Sequence, residues 1–197
     1  MRIAVFGARG FIGKEFVRIA PSEHQFFLFN RPEVDVRKPE SFAKKLKEVK
    51  PDVVVNLAAI IGTLLSSIPV REMFETNTMG NLNVAYAAHE AGAKAYIFTS
   101  STVVHGENKK GEHHSRFYGF APKHSYSASK AAAEYALGQF ANEQADMAIV
   151  TLRPPMVIGE GAEIPLPPIE FVRDVLQGKE IQLFGDGLHE REYVSIT

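Results

Sequence analysis

Gly7-Ala8-Arg9-Gly10-Phe11-Ile12-Gly13 is the stretch whose reading decides the fold. It follows the apolar run Ile3-Ala4-Val5-Phe6, and an amphipathic pattern with Phe11, Ile12, Phe16, Val17 and Ile19 comes after it. A buried strand that turns through glycine into a helix gathers backbone N–H groups and the positive helix end at one point, where pyrophosphate is the usual guest. In such a turn Gly7 permits the sharp reversal, Gly10 lets the backbone approach phosphates, and Gly13 lets the helix lie close on the strand. The spacing G-x-x-G-x-x-G is one residue wider than the dinucleotide fingerprint G-x-G-x-x-G. Glycines at helix starts are common, so the preceding strand and the N-terminal position carry much of the weight.

Outward from that turn, strand-like and helix-like segments alternate, the pattern of a parallel sheet covered on both faces. Strands are expected at Gln25-Phe26-Phe27-Leu28-Phe29, briefly at Val34-Asp35-Val36, and at Val53-Val54-Val55-Asn56-Leu57. Further strands are expected at Ala95-Tyr96-Ile97-Phe98, at Ala148-Ile149-Val150-Thr151-Leu152 (buried) and at Ile181-Gln182-Leu183 (an edge). Helices are expected over 39–49, 78–91 with Gly92 as its cap, 125–145 and 169–177 ending at Gly178. Residues 106–122 are polar and His-rich and read as a mobile loop. The ends of the central strands deliver Ala58-Ala59 and Thr99-Ser100-Ser101-Thr102 to one sheet edge, where open α/β sheets bind ligands.

Composition bounds the rest. The 197 residues suit one domain with a full core, and 45% apolar content is ordinary. A formal net charge of −1 removes any strong electrostatic case for nucleic acid or an anionic membrane, and the absence of cysteine excludes thiolate chemistry and disulfides. A first strand at residue 2 leaves no room for a leader, and no apolar run reaches the ~20 residues that span a bilayer. The expectation is a soluble cytoplasmic protein. No metal site is expected, because the adjacent His113 and His114 point apart and lack spaced partners.

Tyr126-Ser127-Ala128-Ser129-Lys130 puts a phenol and an ammonium on one helix face. A free tyrosine with pKa ~10 is about 0.1% ionised at pH 7, so using it as a base costs roughly 4 kcal/mol. A lysine charge and a cationic nicotinamide nearby are expected to lower that cost. Ser101 could hydrogen-bond the substrate oxygen that Tyr126 protonates or deprotonates. His105 and His124 read as substrate-loop residues rather than bases, and Asn77 as either a helix cap or a cofactor contact.

The ordered set of motifs resembles the extended short-chain dehydrogenase/reductase family of nucleotide-sugar epimerases, dehydratases and reductases. The matching residues are the opening glycine turn, Asn56-Leu57-Ala58-Ala59, Asn77-Thr78-Met79-Gly80, Thr99-Ser100-Ser101, Tyr126 with Lys130, and Leu152-Arg153-Pro154-Pro155. Leu183-Phe184-Gly185-Asp186-Gly187 and Arg191-Glu192-Tyr193-Val194 match a further signature. The resemblance implies a doubly wound Rossmann domain over 1–160 and the start of a small substrate-binding lobe over 161–197. The family normally continues beyond Thr197, so a fragment and a shortened member both fit.

The resemblance also implies Ser101, Tyr126 and Lys130 as catalytic residues, and dimers through the helices over 78–91 and 126–145. For the cofactor it implies Gly7, Arg9, Gly10, Phe11, Ile12, Gly13, Asn30, Arg31, Asp35 and Val36, then Leu57, Ala58, Ala59, Asn77, Thr99 and Pro154, besides Tyr126 and Lys130. Ser101, Thr102, Met156 and Arg191 would meet a nucleotide-sugar substrate, Arg191 at its diphosphate.

NAD binders usually end the second strand with an acid that holds the ribose; Asn30 and Arg31 stand here instead. Arg9 and Arg31 could clamp a 2′-phosphate, at ~1.5–3 kcal/mol per charge-assisted bond, favouring NADP by on the order of 10²-fold, with NAD still possible. Two solvated arginines are the plainer alternative. Thr102-Val103 replaces the Asp-Glu pair with which dehydratases of the family eliminate water. Hydride transfer at C4 remains, as a 4-epimerase or a 4-keto-sugar reductase. Met156 stands where many relatives have an asparagine. A non-catalytic NAD(P)-binding sensor or scaffold is the competing class.

Overall fold

The computed structural model describes residues 1–61, 68–106, 119–162, 167–183, 186–187 and 190–197. The expected loop over 106–122, with His113 and His114, falls largely outside them. The chain divides into two compact units, Met1–Pro154 and Pro155–Thr197.

In the first unit five strands form one parallel sheet: β1 (Arg2–Phe6), β2 (Gln25–Phe29), β3 (Val53–Asn56), β4 (Ala95–Thr99) and β5 (Ala148–Leu152), in the order β2-β1-β3-β4-β5. Their registers are continuous, with Val5 opposite Leu28 on one side and Val55 on the other. The order reverses between β1 and β3, where doubly wound sheets open a crevice at the carboxyl ends of their strands. Helix α1 (Phe11–Ile19) follows β1, α2 (Ala43–Val49) follows a short turn at Pro39–Ser41, and α3 (Val70–Phe74) runs through a π-helical turn at Glu75–Met79 into α4 (Gly80–Glu90). Helix α5 (Ser125–Glu143) joins β4 to β5.

The central strands β1, β3 and β4 are covered on both faces, which is why they read as apolar runs rather than alternating ones. Ala4, Phe6, Val54, Tyr96 and Phe98 share the larger core with Phe42 and Leu46 of the α2 region, Val84 of α4, and Leu137 and Phe140 of α5. Ile3, Val5 and Val55 meet Phe16 and Val17 of α1 on the other face. Phe6 stacks on Phe29 at 4.7 Å and meets Phe42 edge-on at 5.2 Å, knitting β1, β2 and the start of α2 together.

Four expectations need correction. Val34-Asp35-Val36 is not a strand. The Val34 and Lys38 N–H groups close turns onto Asn30 and Asp35, and the Asp35 and Arg37 N–H groups bond the Ser41 hydroxyl and the Asp35 carboxylate. Those donors are spent locally and cannot build a ladder. The strand expected to be buried at β5 is the last of the sheet among the described residues, with Val150 41% and Leu152 49% exposed. Ile181-Gln182-Leu183 is exposed and belongs to no ladder among the described residues. The helix expected over 78–91 begins eight residues earlier, at Val70, so Asn77 lies inside it and caps nothing.

The second unit carries β6 (Met156–Ile158) and β7 (Tyr193–Ser195), a parallel pair in which Val157 faces Val194, and α6 (Pro167–Leu176). Among the described residues no helix is long and apolar enough to cross a membrane.

Candidate functional site

The turn after β1 is built as its glycines require. Gly7 has φ +77°, and a Cβ there would lie 2.7 Å from the Ala58 nitrogen. A Cβ on Gly13 would lie 2.3 Å from the Gly7 oxygen and 2.7 Å from the Ala8 Cα, so α1 rests on the turn with no room for a side chain. Gly10 differs: its Cβ would meet only the Gly7 oxygen, at 3.2 Å, so its outer side is open. Gly10 is also the N-cap of α1 and supplies no side-chain cap, which leaves the first-turn N–H groups around Phe11 and Ile12 to an external acceptor. This is a cradle that fits a pyrophosphate.

Beside it the Asn30 side chain accepts from the Arg9 N–H at 2.9 Å, and Arg9 Nη1 donates to the Arg31 carbonyl at 3.1 Å. Arg9 and Arg31 are thereby neighbours, both exposed. Asp35 is committed elsewhere: Arg37 donates to it from its own N–H, from Nε and from Nη2 at 2.6 Å. The Arg37 guanidinium pulls the Asp35 carboxyl down to about 2. Val36 is buried against Gly80, where a Cβ would come within 2.6 Å of its methyl group.

At the end of β3, Asn56 accepts from the Ala58 N–H at 3.0 Å and donates to Asn81 and to the Tyr96 hydroxyl, both at 2.9 Å. Asn81 donates in turn to the Asn77 carbonyl at 2.8 Å, satisfying an acceptor in the π-helical turn. The Asn77 side chain accepts from the Ile60 N–H at 2.8 Å and donates to the Ile60 carbonyl at 2.9 Å and the Ser129 hydroxyl at 3.0 Å. Asn77 therefore holds the Leu57-Ala58-Ala59-Ile60 turn against α5.

At the end of β4, Lys130 Nζ donates to the Thr99 carbonyl at 2.7 Å and lies 5.9 Å from the Tyr126 ring centroid. Thr99 Oγ1 is buried without a described partner. Ser101 opens the short turn Thr102–His105, its hydroxyl accepting from the Val103 N–H at 3.4 Å, and lies close enough to the Tyr126 phenol to favour its ionised form. The Thr102 N–H donates to the Pro154 carbonyl at 3.2 Å. Ser101, Tyr126, Lys130 and Thr99 thus form one cluster at the carboxyl edge of the parallel sheet, the edge that also bears the glycine turn.

In the ligand-free protein burial sets the electrostatics of that cluster, and the lowering expected from a bound cationic nicotinamide belongs to the complex. Burial pushes Tyr126 up to about 12, opposed by Ser101, and burial pushes Lys130 down to about 7, opposed by Glu134. Tyr126 is therefore a proton donor at neutral pH, and Lys130 sits near its own titration midpoint.

His124 is not a loop residue: it caps α5, accepting from the Ser127 N–H at 3.2 Å in a reciprocal capping box. His105 is buried, and its Nε2 faces Arg153 Nη1 at 3.2 Å. A guanidinium only donates, so Nε2 is the acceptor and Nδ1 carries the proton, 3.4 Å from the Gly119 carbonyl. Glu134 escapes a reading of the sequence, although it repeats the Tyr126–Lys130 spacing one turn further along α5, and Arg153 enters that reading only within Leu152-Arg153-Pro154-Pro155, without a role. Met156 is half-buried in β6 and Arg191 exposed, both in the second unit. Among the described residues no group of three or more His, Asp or Glu side chains could hold a metal ion.

A Rossmann-type sheet with a glycine turn opening its first helix, a serine at the end of β4 and a Tyr–Lys pair on the following helix defines an extended short-chain dehydrogenase/reductase. The chain matches the NAD dependent epimerase/dehydratase family over residues 3–197 and belongs to it. It is 26% identical over 181 residues to UDP-glucose 4-epimerase of Vibrio cholerae, covering 82% of this chain and 53% of that protein. It is 27% identical over 202 residues to GDP-6-deoxy-D-talose 4-dehydrogenase of Aggregatibacter actinomycetemcomitans, covering 100% of this chain and 67% of that one. The crystal structure of Thermus thermophilus UDP-glucose 4-epimerase in complex with NAD superposes with a TM-score of 0.88 at 26% identity, covering 100% of this chain and 71% of that one. The chain spans about half the length of the first curated relatives it matches, 53%, 48% and 49%.

Proposed function

We propose that the protein carries out nicotinamide-dependent oxidoreduction at C4 of a nucleotide-activated sugar, as a 4-epimerase or a 4-keto-sugar reductase. The observation that carries this reading is the cluster of Ser101, Tyr126 and Lys130 at the sheet edge that also bears the open glycine turn. The dinucleotide would rest on the start of α1 at Gly10, Phe11 and Ile12, with Thr99 Oγ1 free to meet it, and when bound it supplies the hydride acceptor or donor. Tyr126 donates a proton to a carbonyl oxygen or receives one from a hydroxyl, Ser101 orients that oxygen, and Lys130 carries the compensating charge. Burial keeps the phenol protonated in the ligand-free protein, the state from which a reduction starts.

The relatives support the chemistry: they include UDP-glucose 4-epimerase, GDP-6-deoxy-D-talose 4-dehydrogenase and dTDP-4-dehydrorhamnose reductase. For the cofactor we favour NADP over NAD, because exposed Arg9 and Arg31 lie together where NAD binders carry an acid. Self-association through α4 and α5 belongs to the same reading. Tyr86 on α4 and Tyr135 on α5 are 43% and 67% exposed, and a monomer in sedimentation equilibrium at micromolar concentration would count against it.

The experiment is a turnover screen with UDP-, GDP- and dTDP-hexoses, run with wild type, Tyr126→Phe and Arg31→Ala. Tyr126→Phe is expected to lower kcat by about 10²–10⁴-fold. Arg31→Ala is expected to weaken NADP at least about tenfold and leave NAD unchanged. Dinucleotide binding without Tyr126-dependent turnover would favour a sensor, and equal affinity for both cofactors would remove the NADP preference.

A further inference from the structure

We propose that Glu134 is a positioning residue of this site: its buried carboxylate, four residues beyond Lys130 on α5, ties the end of β4 to Arg153 and so fixes the Thr99 carbonyl that receives the Lys130 ammonium. The role in catalysis rests on the function proposed above; the electrostatic role does not.

The Glu134 side chain is 6% exposed. Its Oε1 accepts from the Ser100 hydroxyl and from Arg153 Nε at 3.1 Å, and its Oε2 accepts from Arg153 Nε at 3.0 Å and Nη2 at 2.6 Å. Ser100 stands between Thr99, whose carbonyl receives Lys130 Nζ, and Ser101, which lies close to the Tyr126 phenol. One carboxylate thus grips the residue flanked by the two that touch the Tyr–Lys pair. It also fixes Arg153, next to Pro154, whose carbonyl anchors Thr102.

Lys130 is 3% exposed. From β4 it faces the Phe98 ring, 4.9 Å from Nζ to the centroid, and the Thr99 carbonyl. From α5 it faces the Tyr126 ring and, one turn on, Glu134. Beyond Glu134 lie Arg153, from the segment after β5, and His105, from the turn after β4, bonded to each other. Burial drives the ammonium toward its neutral form, and Glu134 is the acid that opposes it. Arg153, bidentate on the same carboxylate, works the other way.

The test is a pH titration of the Lys130 side chain by NMR in the ligand-free chain labelled with 15N-lysine, its signal assigned by its loss in Lys130→Arg. Glu134→Gln is expected to lower the Lys130 midpoint by about one pH unit, a tenfold change in the charged-to-neutral ratio. A folded Glu134→Gln protein whose Lys130 midpoint is unmoved overturns the proposal. If Glu134→Gln does not fold, Arg153→Gln decides: it is expected to raise the midpoint, and an unmoved or lowered one overturns the proposal. A purely structural Glu134 would alter stability and leave the midpoint in place. Because no substrate or cofactor enters the measurement, a failure of the sugar-nucleotide reading leaves this result standing, and the reverse holds as well.

Discussion

Lys130 carries an electrostatic cost. It is buried, bonds one backbone carbonyl, and titrates near 7 instead of its ordinary ~10.4. In the unfolded chain the same amine stays protonated through that interval, so the unfolded state binds more protons there. Stability therefore rises with pH from about 7 towards 10, and the penalty is fully present below about 7. Lys130→Met is expected to melt higher than wild type at pH 7 and below, and to lose the upward slope between pH 7 and 10, read by denaturant melts across that range. A wild type with no slope there, or a less stable Lys130→Met, would contradict the burial described here. Asp35 has the opposite sign. Arg37 holds it near 2, so its contribution is present above the ordinary carboxylate range and is lost as pH falls through about 2.

The first turn of α1 separates two glycines that look alike in sequence. Gly13 faces backbone at 2.3 Å, whereas Gly10 faces one oxygen at 3.2 Å and otherwise open space. Gly13→Ala must displace α1 and is expected to cost about 1–3 kcal/mol in urea unfolding, or more if the helix cannot shift. Gly10→Ala is expected to stay within about 1 kcal/mol of wild type and to weaken dinucleotide binding instead. Equal stability losses in the two variants would contradict the assigned roles. This turn was legible because its signal is local: an apolar strand, glycines at turn spacing, an amphipathic helix. The Tyr126–Lys130 pair was legible for the same reason, being one helical turn. What the chain concealed depends on distant partners. Val34-Asp35-Val36 has strand composition, yet Asn30, Ser41 and its own Asp35 take the donors a ladder needs. The π-helical turn that continues α3 runs through Thr76-Asn77-Thr78, poor helix formers sustained by bonds to Ile60 and Ser129. Glu134 reveals itself only when β4 and β5 bring Ser100 and Arg153 to it.

At the scale of the molecule, the five-stranded parallel sheet brings the carboxyl ends of β1, β3 and β4 to one edge, so residues as far apart as Gly10, Asn77 and Lys130 serve a single surface. The polar links Asn56–Asn81–Asn77 and Asn77–Ser129 brace that edge from β3 through α4 to α5. Met156 and Arg191 belong to the separate second unit, and their meeting with a substrate is part of the proposal. The most direct measurement is a crystal structure of the chain grown with NADP. The account predicts the pyrophosphate against the N–H groups at the start of α1 and the nicotinamide ring in contact with the Tyr126–Lys130 pair. A dinucleotide bound elsewhere, or one whose nicotinamide lies out of reach of the Tyr126 hydroxyl, would contradict it.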